Sequence, residues 1–78
     1  DNKGLKANLL ASIPDHQGRL EGGLVLSGHT DVVPVDGQTW DSEPFQATIK
    51  DKKIYGRGTC DMKGFIAVVM SLIPQLKT

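Results

Sequence analysis

Cysteine and aromatic residues are scarce in this 78-residue chain: one Cys, one Trp, one Tyr and two Phe. A single thiol, Cys60, has no partner for an internal bridge, which excludes a disulfide-stapled scaffold and points to a reducing compartment. No apolar run approaches the roughly 20 residues that span a bilayer; the longest runs only from Phe65 to Met70. No sign of charge dominates either. Nine basic and nine acidic side chains cancel, so the electrostatic footprint of a nucleic-acid or anionic-membrane binder is missing. The expected setting is cytoplasmic, with neither nucleic acid nor membrane as partner. A single domain of this size is expected to gain only about 3–5 kcal/mol from its own core. The chain opens on Asp1 and stops at Lys77-Thr78, just after a helix-like segment, so we expect an excerpt of a longer protein.

What is present reads as strands, a hairpin and a helix. Leu5 to Ile13 places Leu5, Ala7, Leu9, Ala11 and Ile13 on one alternating face and predicts a strand, with Leu10 leaving a helix open. Pro14-Asp15-His16-Gln17-Gly18 carries turn chemistry. Leu24-Val25-Leu26 is a short continuous apolar run, as in a strand covered on both faces. Val35 to Pro44 is rich in turn formers and predicts a surface loop. Phe45 to Lys50 alternates strictly and Ile54-Tyr55-Gly56 returns, which predicts a β-hairpin over 45–56. From Asp61 the period becomes helical: Met62, Phe65, Ile66, Val69, Ile73 and Leu76 form a stripe. Ala67, Val68 and Met70 make the other side apolar too, so the helix is expected to be buried against a sheet. Pro74 is expected to kink or end it. The fold class that follows is α/β, a mixed sheet with a C-terminal helix packed on one face.

Two stretches carry chemistry. Ser27-Gly28-His29-Thr30-Asp31-Val32-Val33-Pro34 follows the 24–26 run and presents an imidazole with a carboxylate two residues on. Ligand sites in open α/β sheets lie just beyond the carboxyl ends of strands. His29 there is either a hydrogen-bonded structural residue or a metal ligand. Asp31 either caps loop amides or holds the second ring nitrogen of His29, fixing its tautomer. Gly56-Arg57-Gly58-Thr59-Cys60-Asp61-Met62-Lys63-Gly64 is the second stretch. Gly58 and Gly64 permit close backbone approach around Asp61, which reads equally as a ligand or as a helix N-cap. A phosphate loop is excluded, because it needs Gly-Lys followed by Ser or Thr whereas Lys63 precedes Gly64. Cys60 reads as a small buried thiol, His16 as a surface residue, and Trp40 and Phe45 as loop and core packing.

In this order the two stretches closely resemble the M20 metallopeptidase/deacylase family, and the resemblance covers nearly the whole chain from about Leu5. It implies a zinc-peptidase-like catalytic domain of which residues 1–78 are the N-terminal part. By that resemblance His29 ligates one zinc, Asp31 is a catalytic residue that orients His29, and Asp61 bridges two metals, zinc or alternatively cobalt. It further implies a cis peptide at Asp61-Met62. The Thr59-Cys60-Asp61-Met62-Lys63-Gly64-Phe65 variant, with the Val35-Asp36-Gly37-Gln38 loop, points to the branch that deacetylates N2-acetyl-L-ornithine in arginine biosynthesis. Other branches, removing succinyl groups or cleaving dipeptides, are the alternatives, as is a truncated non-catalytic binding module. The partner implied is a small N-acyl amino acid, and the parent is expected to be a homodimer. The general base, the remaining ligands and the dimerisation domain lie downstream in relatives, so the chain alone is expected to be inactive.

Overall fold

Asp51 and Lys52 both take positive φ, 53° and 62°, and between them reverse the chain. Positive φ at both central residues is the signature of a type I′ turn, whose twist matches that of the strands it joins. Those strands are β1 (Thr48–Lys50) and β2 (Lys53–Tyr55), paired antiparallel with Ile49 opposite Ile54. This is a computed structural model, and it describes residues 3–77. The hairpin forms where alternation predicts it, with a ladder shorter than 45–56.

Beyond β2 the chain passes Gly58, whose φ of 86° suits glycine, into a wide π-type turn, Thr59–Lys63. Inside that turn Asp61 (φ −121°, ψ 92°) and Met62 (φ −144°, ψ 29°) leave helical geometry, and the peptide between them is cis. Lys63 N donates to Gly58 O at 2.8 Å and closes the turn. Helix α1 follows, Gly64–Leu76. Its N-cap is Lys63, so Asp61 does not cap it. The expected break at Pro74 is corrected: α1 continues to Leu76. Proline in the last turn forfeits only the one amide bond it would have made to Met70, and little helix remains beyond it to be disrupted.

The predicted turn near residue 15 forms, and the strands on either side of it do not. The Asp15 carboxylate accepts N–H bonds from Gln17 (2.8 Å) and Arg19 (2.9 Å) and from Arg19 Nε (2.8 Å). Asp15 N donates to Arg19 O and Gly18 N to Asp15 O, both at 3.0 Å. Among the described residues neither 5–13 nor 24–26 joins a sheet, which corrects both strand assignments. A strand is stabilised by neighbours at its edges and cover on its face. Here the one ladder is β1–β2, and Leu9 and Leu24 are 94% and 83% exposed.

The buried helix is also corrected. Met62, Ile66, Val69 and Ile73 form a half-buried stripe, while Phe65, Val68, Met70 and Leu76 face solvent. No hydrophobic side chain among the described residues is fully buried. The Cα radius of gyration is 16.8 Å, against about 11.5 Å for a compact domain of this length. The molecule is a slab of 51 × 40 × 16 Å, mixed α/β in content, with one face of α1 and both extended arms uncovered. No helix among the described residues is long and apolar enough to cross a membrane.

Candidate metal centre

Two glycines let the motif loops meet. At Gly28 an added Cβ would stand 2.9 Å from Ile66 Cγ1 and 3.4 Å from Met62 Cε, so the loop that carries His29 lies directly on α1. At Gly58 an added Cβ would stand 2.6 Å from Val32 Cγ1, which seats the other end of that loop against the π-type turn. Lys63 then ties the two: its Nζ donates to Thr30 O at 2.6 Å.

This apposition places His29 between two aspartates. Its Nδ1 lies 3.0 Å from the main-chain carbonyl of Asp31, and its Nε2 lies 3.3 Å from Asp61 Oδ1. The acceptor nearest the ring is therefore the Asp31 carbonyl, and the Asp31 carboxylate, expected in that place from the sequence, stands farther off at 3.4 Å. A carbonyl only accepts, so this bond places a proton on Nδ1 and turns Nε2 toward Asp61. On a neutral ring, Nε2 would then point a lone pair at a carboxylate oxygen. That contact is repulsive unless a positive charge lies between them, either a proton on Nε2 or a metal ion.

The spacing fits a metal. With zinc–nitrogen bonds of about 2.0–2.1 Å and zinc–oxygen bonds of about 2.0–2.2 Å, two donors on a tetrahedral ion stand about 3.3–3.5 Å apart. An imidazole and a carboxylate also suit zinc chemically. Among the described residues the donor set stops at two. Among the described residues no three His, Cys, Asp or Glu side chains converge, whereas catalytic zinc usually takes three protein ligands. The pair is open to solvent, with side-chain exposures of 48% for His29 and 87% for Asp61.

His29 and Asp61 line a cleft of about 360 Å³. Arg57 and Trp40 line the same cleft. The Arg57 guanidinium lies over the Trp40 ring, 5.1 Å from its centroid. Arg57 Nη2 and Trp40 Nε1 both donate to Gln38 Oε1, the latter at 3.1 Å, and Arg57 N donates to Pro44 O at 2.7 Å. Trp40 is thus part of the cleft rather than plain loop packing, and Phe45 is 65% exposed rather than core. Cys60 is exposed, not buried, because the turn that carries it has no covering layer. His16 lies in the exposed 15–18 turn as expected. Residue pattern alone does not single out Arg57, although its place between Gly56 and Gly58 in the second motif is a signal.

Comparison with known proteins now defines the class. The sequence profile described as peptidase family M20/M25/M40 matches residues 25–78, and the chain belongs to that family. Among curated proteins it is similar to an acetylornithine deacetylase of Pasteurella multocida (strain Pm70), 54% identical over 71 residues that cover 91% of this chain and 18% of that protein. It is also similar to the acetylornithine deacetylases of Yersinia pestis (51% over 69 residues, 87% and 18%) and of Photorhabdus laumondii (50% over 68 residues, 87% and 17%). The chain therefore spans less than a fifth of the length of the curated relatives it matches. No solved structure matches it.

Proposed function

We propose that this chain is the N-terminal part of the metal-binding catalytic domain of an amide hydrolase that converts N2-acetyl-L-ornithine to ornithine and acetate in arginine biosynthesis. The observation that carries the chemistry is the approach of His29 Nε2 to Asp61 Oδ1 at 3.3 Å. The substrate rests on the similarity to acetylornithine deacetylases. His29 would hold one zinc ion through Nε2, its ring oriented by the Asp31 carbonyl. Asp61, with one oxygen toward His29 and a second available, would bridge to another ion, zinc or cobalt. A divalent ion bound there supplies Lewis acidity that makes water nucleophilic near neutral pH and polarises the acyl carbonyl. The chain's own residues bind, orient and bring negative charge to the site. The proton-accepting base, the remaining ligands and the dimer contacts belong to the rest of a cytoplasmic parent enzyme.

The test is a deacetylase assay on the full-length parent, its His29→Ala and Asp61→Ala variants, and the isolated chain. We expect turnover by the parent, loss in both variants and none by the isolated chain. Metal-dependent turnover by the isolated chain would overturn the division of labour, and an inactive parent would overturn the function. That no third donor joins the pair among the described residues favours a second reading, a truncated relative kept as a non-catalytic binding module. An inactive parent that still binds a partner through this segment would establish that reading instead.

A further inference from the structure

The part of the cleft lined by Trp40 and Arg57 is built, not incidental. Three side chains from two segments lock together there: Gln38 Oε1 accepts from both Trp40 Nε1 and Arg57 Nη2, and Arg57 lies across the Trp40 ring. The Arg57 amide fixes the far end of the same loop through Pro44 O. Trp40 and Arg57 are both only partly exposed, in a molecule where most large side chains lie open. Arg57 Nε is buried without a hydrogen-bond partner, an energetic cost that a purely ornamental arginine would not carry. Trp40 lines the cleft together with the apolar side chains of Val32 and Val33, and Asp31 and Asp61 line it too.

A cleft lined by apolar side chains as well as by a metal-binding pair suits a small acyl group whose amide is attacked in the same cleft. Resting on the functional reading above, we infer that Trp40 is the specificity-determining wall against which the acyl group of an N-acyl amino acid packs. Arg57 and Gln38 are positioning residues that act through it. Arg57 is suited to this, because its planar guanidinium stacks on the indole while its fork reaches Gln38. A lysine keeps the charge and loses both contacts.

The test uses the full-length parent with Trp40→Phe, Trp40→Ala and Arg57→Lys, assayed on N2-acetyl, propionyl and butyryl ornithine with metal content measured alongside. Trp40→Ala should raise KM for the acetyl substrate about tenfold and shift the acetyl-over-butyryl preference in kcat/KM by about tenfold toward butyryl, within the range by which hydrophobic pockets discriminate methylenes. Trp40→Phe and Arg57→Lys should move both quantities the same way by smaller factors, with kcat and bound metal little changed. Variants whose KM and acyl preference stay within twofold of wild type overturn the inference and leave the functional reading standing. Loss of metal and activity together in Trp40→Phe and Arg57→Lys also overturns it, since the role would then be structural. A wild-type parent that hydrolyses none of the three overturns both.

Discussion

Lys63 Nζ and the Thr30 carbonyl, 33 residues apart, meet at 2.6 Å and join the two motif loops. The ammonium reaches a carbonyl flanked on either side by His29 and Asp31, so it fixes the backbone that aims the imidazole. Partners that orient a ligand from outside the coordination shell are worth about 10–100-fold in metal affinity. Lys63→Met keeps the stem and removes the donor. It should weaken zinc binding by the full-length parent about tenfold by calorimetry, with Lys63→Arg recovering part of the loss.

For the isolated chain, zinc and cobalt titrations should give binding weaker than micromolar, because two donors hold a catalytic ion poorly. Whatever heat is seen should vanish in both His29→Ala and Asp61→Ala. Submicromolar binding lost in both variants would mean that these residues make a complete site without further ligands.

Gly58 combines a left-handed backbone with a close neighbour. Its φ of 86° and the 2.6 Å separation of an added Cβ from Val32 Cγ1 predict that Gly58→Ala is destabilising. The left-handed backbone alone costs about 1–2 kcal/mol for a non-glycine residue. Denaturant titration of the parent should show at least that loss. Gly28→Ala meets flexible side chains of Ile66 and Met62 instead and should cost less.

The turn at Asp15 should be acid-sensitive. The Arg19 amide, then the Arg19 side chain, and less strongly the Gln17 amide, hold the Asp15 carboxyl below its ordinary 3.8, against an opposing effect of desolvation. A depressed carboxyl stabilises the folded turn above its unfolded value and loses that contribution as pH falls through the folded one. Amide shifts of Gln17 and Arg19 should therefore hold steady above about pH 5 and move together below about pH 4. Asp15→Asn should flatten that transition.

Self-association is the expected behaviour of the isolated chain. The outer face of α1 (Phe65, Val68, Leu76) and the arms carrying Leu9, Leu10, Leu24 and Val25 are open apolar surface. Sedimentation should show a concentration-dependent increase in mass, and a clean monomer with a cooperative melt would refute this.

Local interactions were legible in the sequence, and tertiary ones were legible only in part. The hairpin and the Asp15 turn depend on neighbours within a few residues, so alternation and turn chemistry found them. The strands at 5–13 and 24–26, and the burial of α1, need neighbours that no described residue supplies. Residue pattern therefore named surfaces that want covering without supplying the cover. Of the predicted stripe, Met62, Ile66, Val69 and Ile73 are half-buried, with Met62 and Ile66 lying against the loop at Gly28, whereas Phe65 and Leu76 lie exposed. His29 and Asp61 stood out through the resemblance of their motifs. Their 3.3 Å approach depends on the meeting of the two loops, tied by Lys63 to Thr30, which no spacing rule encodes. The link between Arg57 and Gln38 spans 19 residues and rests on the path of an irregular loop, which is why it escaped.

The slab is 16 Å thick, so no Cα lies more than about 8 Å from one of its faces, close to a Debye length of about 8 Å at physiological salt. Mobile ions therefore reach the field of Asp31 and Asp61 from either side, and the pull of these carboxylates on a dication is damped by the medium rather than shaped by the protein. Covering the slab would lower the local dielectric and shut out that ionic atmosphere. The same two carboxylates would then attract a cation more strongly without moving an atom. In the isolated chain, metal affinity should fall with added salt, whereas a site covered by the rest of the parent should be far less sensitive.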